Sequence, residues 1–297
     1  MAVGPINFIF MERPESEITV SICCTTYNHE KYIAQAIEGF LMQKTTFAFE
    51  ILIGEDWSTD NTRQIVETYQ KKHPQLIKIL SGKTNIGSGG NLINVINNAK
   101  GKYYAFCDGD DFWIDAHKLQ KQVDFLELNQ NFVACSHYSK VIDDKDETTY
   151  VAKNLVPLEY TYDDLLMDRK GETRTASLMF KATKEFENLG ETNWFYDAGA
   201  GDNFLKLYIT STSGGKIYVI PELMSCYRIH QGGVWSMIDP RIRKRKKISD
   251  FNLLINNFKY SSLQKRALLK IYVKKYFLFQ IIDFKIKNAY NTIVQLL

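Results

Sequence analysis

Four times in the first 130 residues, an apolar run gives way to polar residues and then to apolar positions spaced three and four apart. "ITVSICCTTYN" (18–28) reads as a buried strand, since its β-branched residues continue without alternation. "HEKYIAQAIEGFLMQ" follows it, with Ile33, Ile37, Phe40 and Leu41 on one helical face. "FEILIGEDWSTDNT" repeats the scheme, with Asp60 or Asn61 placed to cap a helix carrying Ile65, Val66 and Tyr69. "LIKILSG" predicts a third strand, and "TNIGSGGNLINVINNAKG" a glycine-rich loop and a helix ending at Gly101. "KYYAFCDGDD" predicts a fourth strand, with the helix "HKLQKQVDFLELNQ" beyond it. Strands alternating with helices at this spacing predict βαβ units and a mostly parallel central sheet flanked by helices, an α/β fold.

Beyond about residue 135 the alternation weakens. "FVACSHYSKVID" and "TASLMFKA" read as strands, and "GDNFLKLYITSTSGGKIYVIPELMSCYRIH" as a helix, a glycine turn and a strand. The chain from about 240 onward reads as helical and rich in Phe, Tyr, Ile and Leu.

Charge separates that last segment from the rest. The formal net charge is only +3, yet from Arg241 onward fourteen Lys or Arg face two Asp, a balance of +12. The first 240 residues hold 23 basic and 32 acidic side chains, or −9. An acidic body with a basic tail is a poor nucleic-acid binder, so no nucleic-acid partner is expected. Lysines interleaved with aromatic and aliphatic residues in the tail suit an interfacial helix on an anionic membrane surface. The competing reading is a set of helices packed on the rest of the chain with lysines facing water.

No apolar run reaches the roughly 18 residues that a spanning helix needs. The N-terminal "MAVGPINFIFMERPE" lacks a basic start and is a poor signal peptide, so the sequence predicts a cytosolic chain. Peripheral attachment to the inner face of the plasma membrane is compatible with that. The five cysteines are odd in number and lack metal-ligand spacing, which predicts reduced, buried thiols.

Acids collect where the predicted strands end, at Asn28–Glu30, Glu55–Asp60 and Asp108–Asp111. In a parallel sheet these loops converge on one edge, where such sheets bind ligands. Three aspartates within four residues repel one another unless something positive lies among them. Oxygen ligands without a matching Cys or His set favour Mg²⁺ or Mn²⁺ with a bound diphosphate.

"SICCTTYNHEKYIAQAIEGFLMQ", "EILIGEDWSTDNT", "TNIGSGGN" and "YYAFCDGDDFW…KL" together resemble, in order and spacing, the signatures of family 2 glycosyltransferases with the GT-A fold. The resemblance covers roughly residues 18–137 and continues more loosely to about 236. It implies a GT-A catalytic domain over 1–238, with a nucleotide-sugar half (18–137), an acceptor half (138–238) and a basic helical tail (239–297). Two departures stand out. Glu55 and Trp57 occupy a loop where the family commonly shows "DDGS", and "TNIGSGGN" lacks the arginine that often follows that glycine.

The resemblance also implies site residues. Thr26, Tyr27 and Asn28 would border the nucleotide, Asp56 would read its base, and Asn85 and Gly87 would let the backbone approach it. Asp108 to Asp111 resemble the "DxD" element, with Asp108 and Asp110 at the nucleotide-sugar and Asp110, or else Asp111, on the cation. His230 would meet the metal or the diphosphate, and Arg228 the phosphates. Asp202 matches the position of the catalytic base, with Asp197 as the alternative. Arg174, Thr175 and Trp235 would line the acceptor side.

The function so implied is an inverting, metal-dependent glycosyltransferase of bacterial surface-polysaccharide synthesis. It would move sugar from a nucleotide-diphosphate donor, UDP being family-typical, to a lipid-linked or glycan acceptor. A sugar-1-phosphate nucleotidyltransferase would share the architecture but normally opens with a glycine-rich loop and a basic residue, which "CCTTYNHEKY" lacks. A catalytically inactive nucleotide-sugar-binding protein of the same fold is the other alternative.

Overall fold

The computed structural model describes residues 18–169, 171–233 and 238–297 of the 297-residue chain. The apolar N-terminal stretch and Trp235 lie outside the described residues.

The first half opens β1 (Val20–Thr26), α1 (Ile33–Leu41), β2 (Phe49–Glu55), α2 (Thr62–Lys72), β3 (Ile77–Leu80) and α3 (Gly87–Asn98). It continues β4 (Tyr103–Phe106), β5 (Phe112–Trp113) and α4 (Lys118–Leu128). The second half holds β6 (Phe132–Ile142), β7 (Thr148–Tyr150), β8 (Leu158–Tyr160), α5 (Tyr162–Leu166), β9 (Met179–Lys181), α6 (Lys184–Leu189), α7 (Gly201–Ser213) and β10 (Lys216–Arg228). Four helices end the chain: α8 (Pro240–Asn257), α9 (Ser262–Tyr272), α10 (Leu278–Ile282) and α11 (Ile286–Leu296).

One sheet runs in the order β3-β2-β1-β4-β9-β6-β10-β5, with β7 and β8 pairing off that path. The first four strands are parallel, as the alternation predicts. The second half is mixed, because β9 pairs antiparallel to both β4 and β6. The predicted strand "TASLMFKA" shortens to β9, since Thr175–Ser177 wind into a 3-10 turn ahead of it. Along β10, Pro221 falls in a register shift between Ile220 and Leu223, as a residue without a backbone donor requires.

Alternate residues of β1 serve opposite layers. Ile22 and Cys24 join the core under α1, α2 and α4, while Cys23 faces the core beneath α3 and α7. All five cysteines are buried free thiols. Register then fixes the functional edge: Thr26 pairs with Glu55, and Cys23 with Phe106. The loops after β1, β2 and β4 therefore emerge side by side.

The basic tail shares the second core. Phe251, Leu254, Ile255, Leu268, Tyr272 and Leu296 pack in one cluster with Phe195, Phe204 and Phe106. Burying one such side chain contributes roughly 1.5–3 kcal/mol, against about 1 kcal/mol for a lysine near an anionic leaflet. Packing on the catalytic sheet therefore dominates. The carboxylate of Asp250 on α8 also accepts the backbone N–H of Gly199, 2.8 Å away in the loop before α7. No described helix is long and apolar enough to cross a membrane.

Candidate active site

The corner Asp108-Gly-Asp-Asp leaves β4 directly and presses on the end of β1. A Cβ at Gly109 would stand 2.6 Å from Thr26 Oγ1 and 2.9 Å from Ile33 Cδ1, so the approach needs glycine. The three aspartates are tolerated because each meets a different environment. Asp108 accepts the Thr25 hydroxyl at 2.6 Å. Burial pushes its carboxyl up to about 7, with the charge of Asp110 adding to the effect and the Thr25 and Thr175 hydroxyls opposing it. Burial acts against the charge on Asp110 too, but His29 and His230 outweigh it and hold that carboxyl below its usual range.

His230 Nε2 lies 3.0 Å from Asp110 Oδ2, and His29 Nε2 lies 3.8 Å from the same oxygen. One ligand atom from each of these three residues falls within 4.8 Å of the others. Two imidazoles and a carboxylate are a donor set that suits a divalent cation, so the residues present fit the metal that the resemblance implies.

Asp111 stands apart from that group. Its side chain is buried and accepts the backbone N–H of Arg228 at 2.8 Å. Burial and the charge of Asp110 raise its pKa. Of the two aspartates considered as cation ligands, the geometry brings Asp110 to the histidines and ties Asp111 to the end of β10.

Arg228 differs from its expected role. Its guanidinium bonds the Asp110 carbonyl (3.1 Å), the Asp143 carbonyl (3.3 Å), the Asp146 carboxylate (2.5 Å) and Gln35 Oε1 (2.7 Å), and it stacks on Tyr32. All three nitrogens are committed and the residue is 3% exposed. It is a tie beneath the acid corner rather than a group presented to phosphates.

Elements of the second half close on the same space. Asp202 lies in the first turn of α7 and pairs with Lys206, one turn on, at 3.0 Å. Its charge reaches Asp108, as does the Thr175 hydroxyl. Burial raises the Tyr227 hydroxyl's pKa, and so do the charges of Asp111, Asp110, Asp108 and Asp202, which face it together. Arg174 pairs with Glu172 at 2.9 Å and lies over the Tyr227 ring. Asp197 is exposed at the end of the 3-10 turn Asn193–Asp197.

In the loop after β2, Asp56 Oδ1 accepts the Ile86 N–H at 2.7 Å, and burial raises its pKa. Asn85 donates to the Asp56 carbonyl at 2.9 Å and accepts from Gly87 N–H at 3.1 Å, where a φ of +79° favours glycine. Asn28 Oδ1 accepts the Thr59 N–H at 2.8 Å, locking the loops after β1 and β2 together. Tyr27 and Trp57 are exposed beside them. Glu55 is fully buried and accepts Ser58 N–H at 2.7 Å, so it shapes the turn from within.

Sequence reasoning overlooked His29, Lys206 and Tyr227. A histidine one residue past Asn28, at the end of the first strand, was a usable signal for His29. Lys206 was visible as the i+4 partner of Asp202. Nothing local marked Tyr227, whose surroundings come from four distant segments.

Residues 21–184 match the model described as glycosyl transferase family 2. The chain belongs to that family. An uncharacterized protein of Mycobacterium tuberculosis is 33% identical over 223 residues, 73% of this chain and 60% of its own length. The chain thus spans about 60% of the length of that mycobacterial relative. Escherichia coli WfgD, named as a UDP-Glc:alpha-D-GlcNAc-diphosphoundecaprenol beta-1,3-glucosyltransferase, is 32% identical over 148 residues, half of this chain and 54% of its own. The fold is shared with S. aureus TarS solved in complex with UDP-GlcNAc (TM-score 0.62, 18% identity, 94% of this chain and 80% of that one). It is shared too with the Pyrobaculum calidifontis mannosyltransferase solved with GDP-Man and Mn²⁺ (TM-score 0.60, 16% identity, 95% and 85%).

Proposed function

We propose that the protein is an inverting glycosyltransferase that takes sugar from a nucleotide-diphosphate donor, a UDP-sugar by preference. The observation that carries this is the acid corner after β4, where two histidines from other elements meet Asp110 and Thr25 holds Asp108, with an exposed aromatic pair beside Asp56. This arrangement supports a reading in which a cation and diphosphate lie between a base-binding loop and a carboxylate that faces the acceptor. Membership of the family supports transfer, and the UDP ligand named for TarS and the UDP-Glc named for WfgD support the nucleotide.

In this reading Asp110 and His230 hold a Mn²⁺ or Mg²⁺ ion. When bound, the ion neutralises charge developing on the departing diphosphate. Asp108, held by Thr25, meets the ribose, and Asp56 meets the base. Asp202 takes the proton of the acceptor hydroxyl as its oxygen bonds the anomeric carbon and the bond to diphosphate breaks. Lys206 fixes the Asp202 carboxylate on the helix N-terminus, where negative charge is favoured.

The acceptor in this reading is lipid-linked, as named for WfgD, and it is met at a membrane surface. Leu278 and Ile282 on α10, then Phe284, and Ile286 and Tyr290 on α11 are exposed, each 60% or more. The pairs sit four residues apart, on single helix faces, with exposed Lys274, Lys285 and Lys287 among them. This apolar, basic surface stays outside the packed face of the tail.

The test is a thermal-shift series with UDP, dTDP, GDP and CDP, each with and without Mn²⁺. A nucleotide at 100 times its Kd stabilises by about 2.7 kcal/mol. Metal-dependent stabilisation by one nucleotide, lost in Asp110→Ala, is the expected result. No shift with any nucleotide in the presence of metal overturns the reading.

A further inference from the structure

The cation site just described is richer in nitrogen than the acid motif alone supplies. Its three donors come from three elements: His29 from the loop after β1, Asp110 from the corner after β4, and His230 from the end of β10. Each imidazole is held by its other nitrogen. Thr26 Oγ1 lies 3.2 Å from His29 Nδ1, and the Gln231 carbonyl lies 3.0 Å from His230 Nδ1. A carbonyl only accepts, so His230 carries a proton on Nδ1 and turns Nε2 toward Asp110. Such outer hydrogen bonds are what fix the tautomer and ring plane of metal-bound histidines.

The spacing suits one shared ion. Ligands about 2.1 Å from a metal stand about 3.0 Å apart when adjacent in an octahedron and about 3.4 Å apart in a tetrahedron. The His230–Asp110 separation of 3.0 Å matches the first value, and the His29–Asp110 separation of 3.8 Å lies slightly beyond the second. The Tyr32 ring, 4.6 Å from the His230 ring, packs against that imidazole, and the side chains of His29 and His230 are largely shielded from solvent.

We propose that His29 is a third protein ligand, making this a two-histidine, one-carboxylate site selective for Mn²⁺, Co²⁺ or Zn²⁺ over Mg²⁺. The proposal rests on the metal-dependent reading of the site and adds the ligand that sets its preference. Magnesium binds oxygen and keeps its water, whereas first-row transition ions accept imidazole nitrogen, weakest at Mn²⁺ and more strongly at Co²⁺ and Zn²⁺. A site with one carboxylate and a diphosphate would accept Mg²⁺ readily. Two imidazoles replace waters that Mg²⁺ holds firmly, and they bind the others well.

The deciding experiment is pulsed EPR of Mn²⁺ bound to the full chain with UDP, which counts coupled imidazole nitrogens without measuring turnover. Wild type is expected to show two and His29→Ala one. Mn²⁺ and Mg²⁺ titrations of the same proteins give the selectivity. His29→Ala should lose about tenfold or more in Mn²⁺ affinity, with a change of less than about threefold for Mg²⁺. One nitrogen in wild type, or an unchanged Mn²⁺/Mg²⁺ ratio in a folded His29→Ala protein, overturns the third ligand while leaving metal dependence intact. Absence of Mn²⁺ binding by wild type with UDP overturns both. The wild-type count stands even where a variant fails to fold.

Discussion

Lys206 and Asp202 form an ion pair across one turn of α7, with the lysine side chain 2% exposed and the carboxylate 27% exposed. The ammonium also bonds the Thr173 carbonyl at 2.8 Å and its hydroxyl at 3.1 Å, so it is anchored from the neighbouring segment. The carboxylate is thereby held at the mouth of the site while the cation stays beneath it. Asp202→Asn is expected to lower kcat by a factor of about 10² or more, the scale of a lost general base, while metal-dependent nucleotide binding persists. Lys206→Met should lower kcat about tenfold with little change in the KM for donor. Steady-state kinetics beside nucleotide thermal shifts separate these effects. An Asp202→Asn enzyme with wild-type kcat would remove Asp202 from the chemistry.

Trp57 occupies the left-handed region at φ +59°, in the loop that departs from the "DDGS" signature. Such a conformation costs a side-chain-bearing residue about 1–2 kcal/mol, and here the ring is 46% exposed. Strain kept for an exposed aromatic beside Asp56 fits a flat face for the nucleobase. Trp57→Gly should therefore leave stability unchanged or raise it by up to about 1 kcal/mol, yet weaken nucleotide binding. Thermal melts with and without UDP test both halves. Loss of stability without loss of binding would mark the ring as structural packing on Arg63, which lies 5.9 Å from its centroid.

Lys118 is fully buried on α4, donating to Gln122 Oε1 at 2.7 Å and lying 3.9 Å from the Trp113 ring centroid. Burial lowers its pKa to about 7. An unfolded lysine titrates near 10.4, so above pH 7 the unfolded chain binds the extra proton and stability rises with pH. Below pH 7 both states are charged and this dependence vanishes. Relative to Lys118→Met, wild type should gain about 1 kcal/mol per pH unit between pH 7.5 and 8.5. Urea unfolding at pH 6, 7.5 and 8.5 measures the difference, and a flat difference above pH 7 would show a lysine still charged in the fold.

The exposed apolar residues of the tail give a fourth test. Sedimentation with vesicles containing anionic lipid should carry down wild type in low salt. Ile282→Ser with Phe284→Ser should reduce binding by about 10²-fold or more, since each buried apolar side chain contributes roughly 1.5–3 kcal/mol. Melting temperature should be unaffected, because both side chains face solvent. Equal sedimentation of the double variant would remove these side chains from any membrane contact.

The first half was legible because its strands are short, continuous apolar runs and three clusters of acids fall at strand ends. The period of β1 and the turn residues after it place Thr26 and Asn28 without any long-range information. Asp110 and Asp111 are neighbours of one type, so choosing between them required knowing that Arg228 returns along β10 to meet Asp111. Arg228 itself read as a phosphate contact because a guanidinium in a loop-end motif suits one. Its engagement by Asp143 and Asp146, from the turn after β6, is visible only in the fold. The tail offered the same difficulty. Its basic run suggests a surface, while the residues that bury it, such as Phe251 and Tyr272, carry no local sign of their partners.

The bond from Asp250 to Gly199 joins two parts that an engineer would wish to separate. Gly199 precedes Asp202 by three residues, so α8 steadies the backbone on which Asp202 stands. Truncating the chain before α8 to obtain a minimal soluble catalyst would therefore also release that loop, along with the core contacts of Phe251 and Leu254. A shortened protein that bound nucleotide yet transferred poorly would be showing the loss of this brace, and not a need for membrane. Attachment and turnover are better dissected by point changes on the outer face of the tail than by deletion.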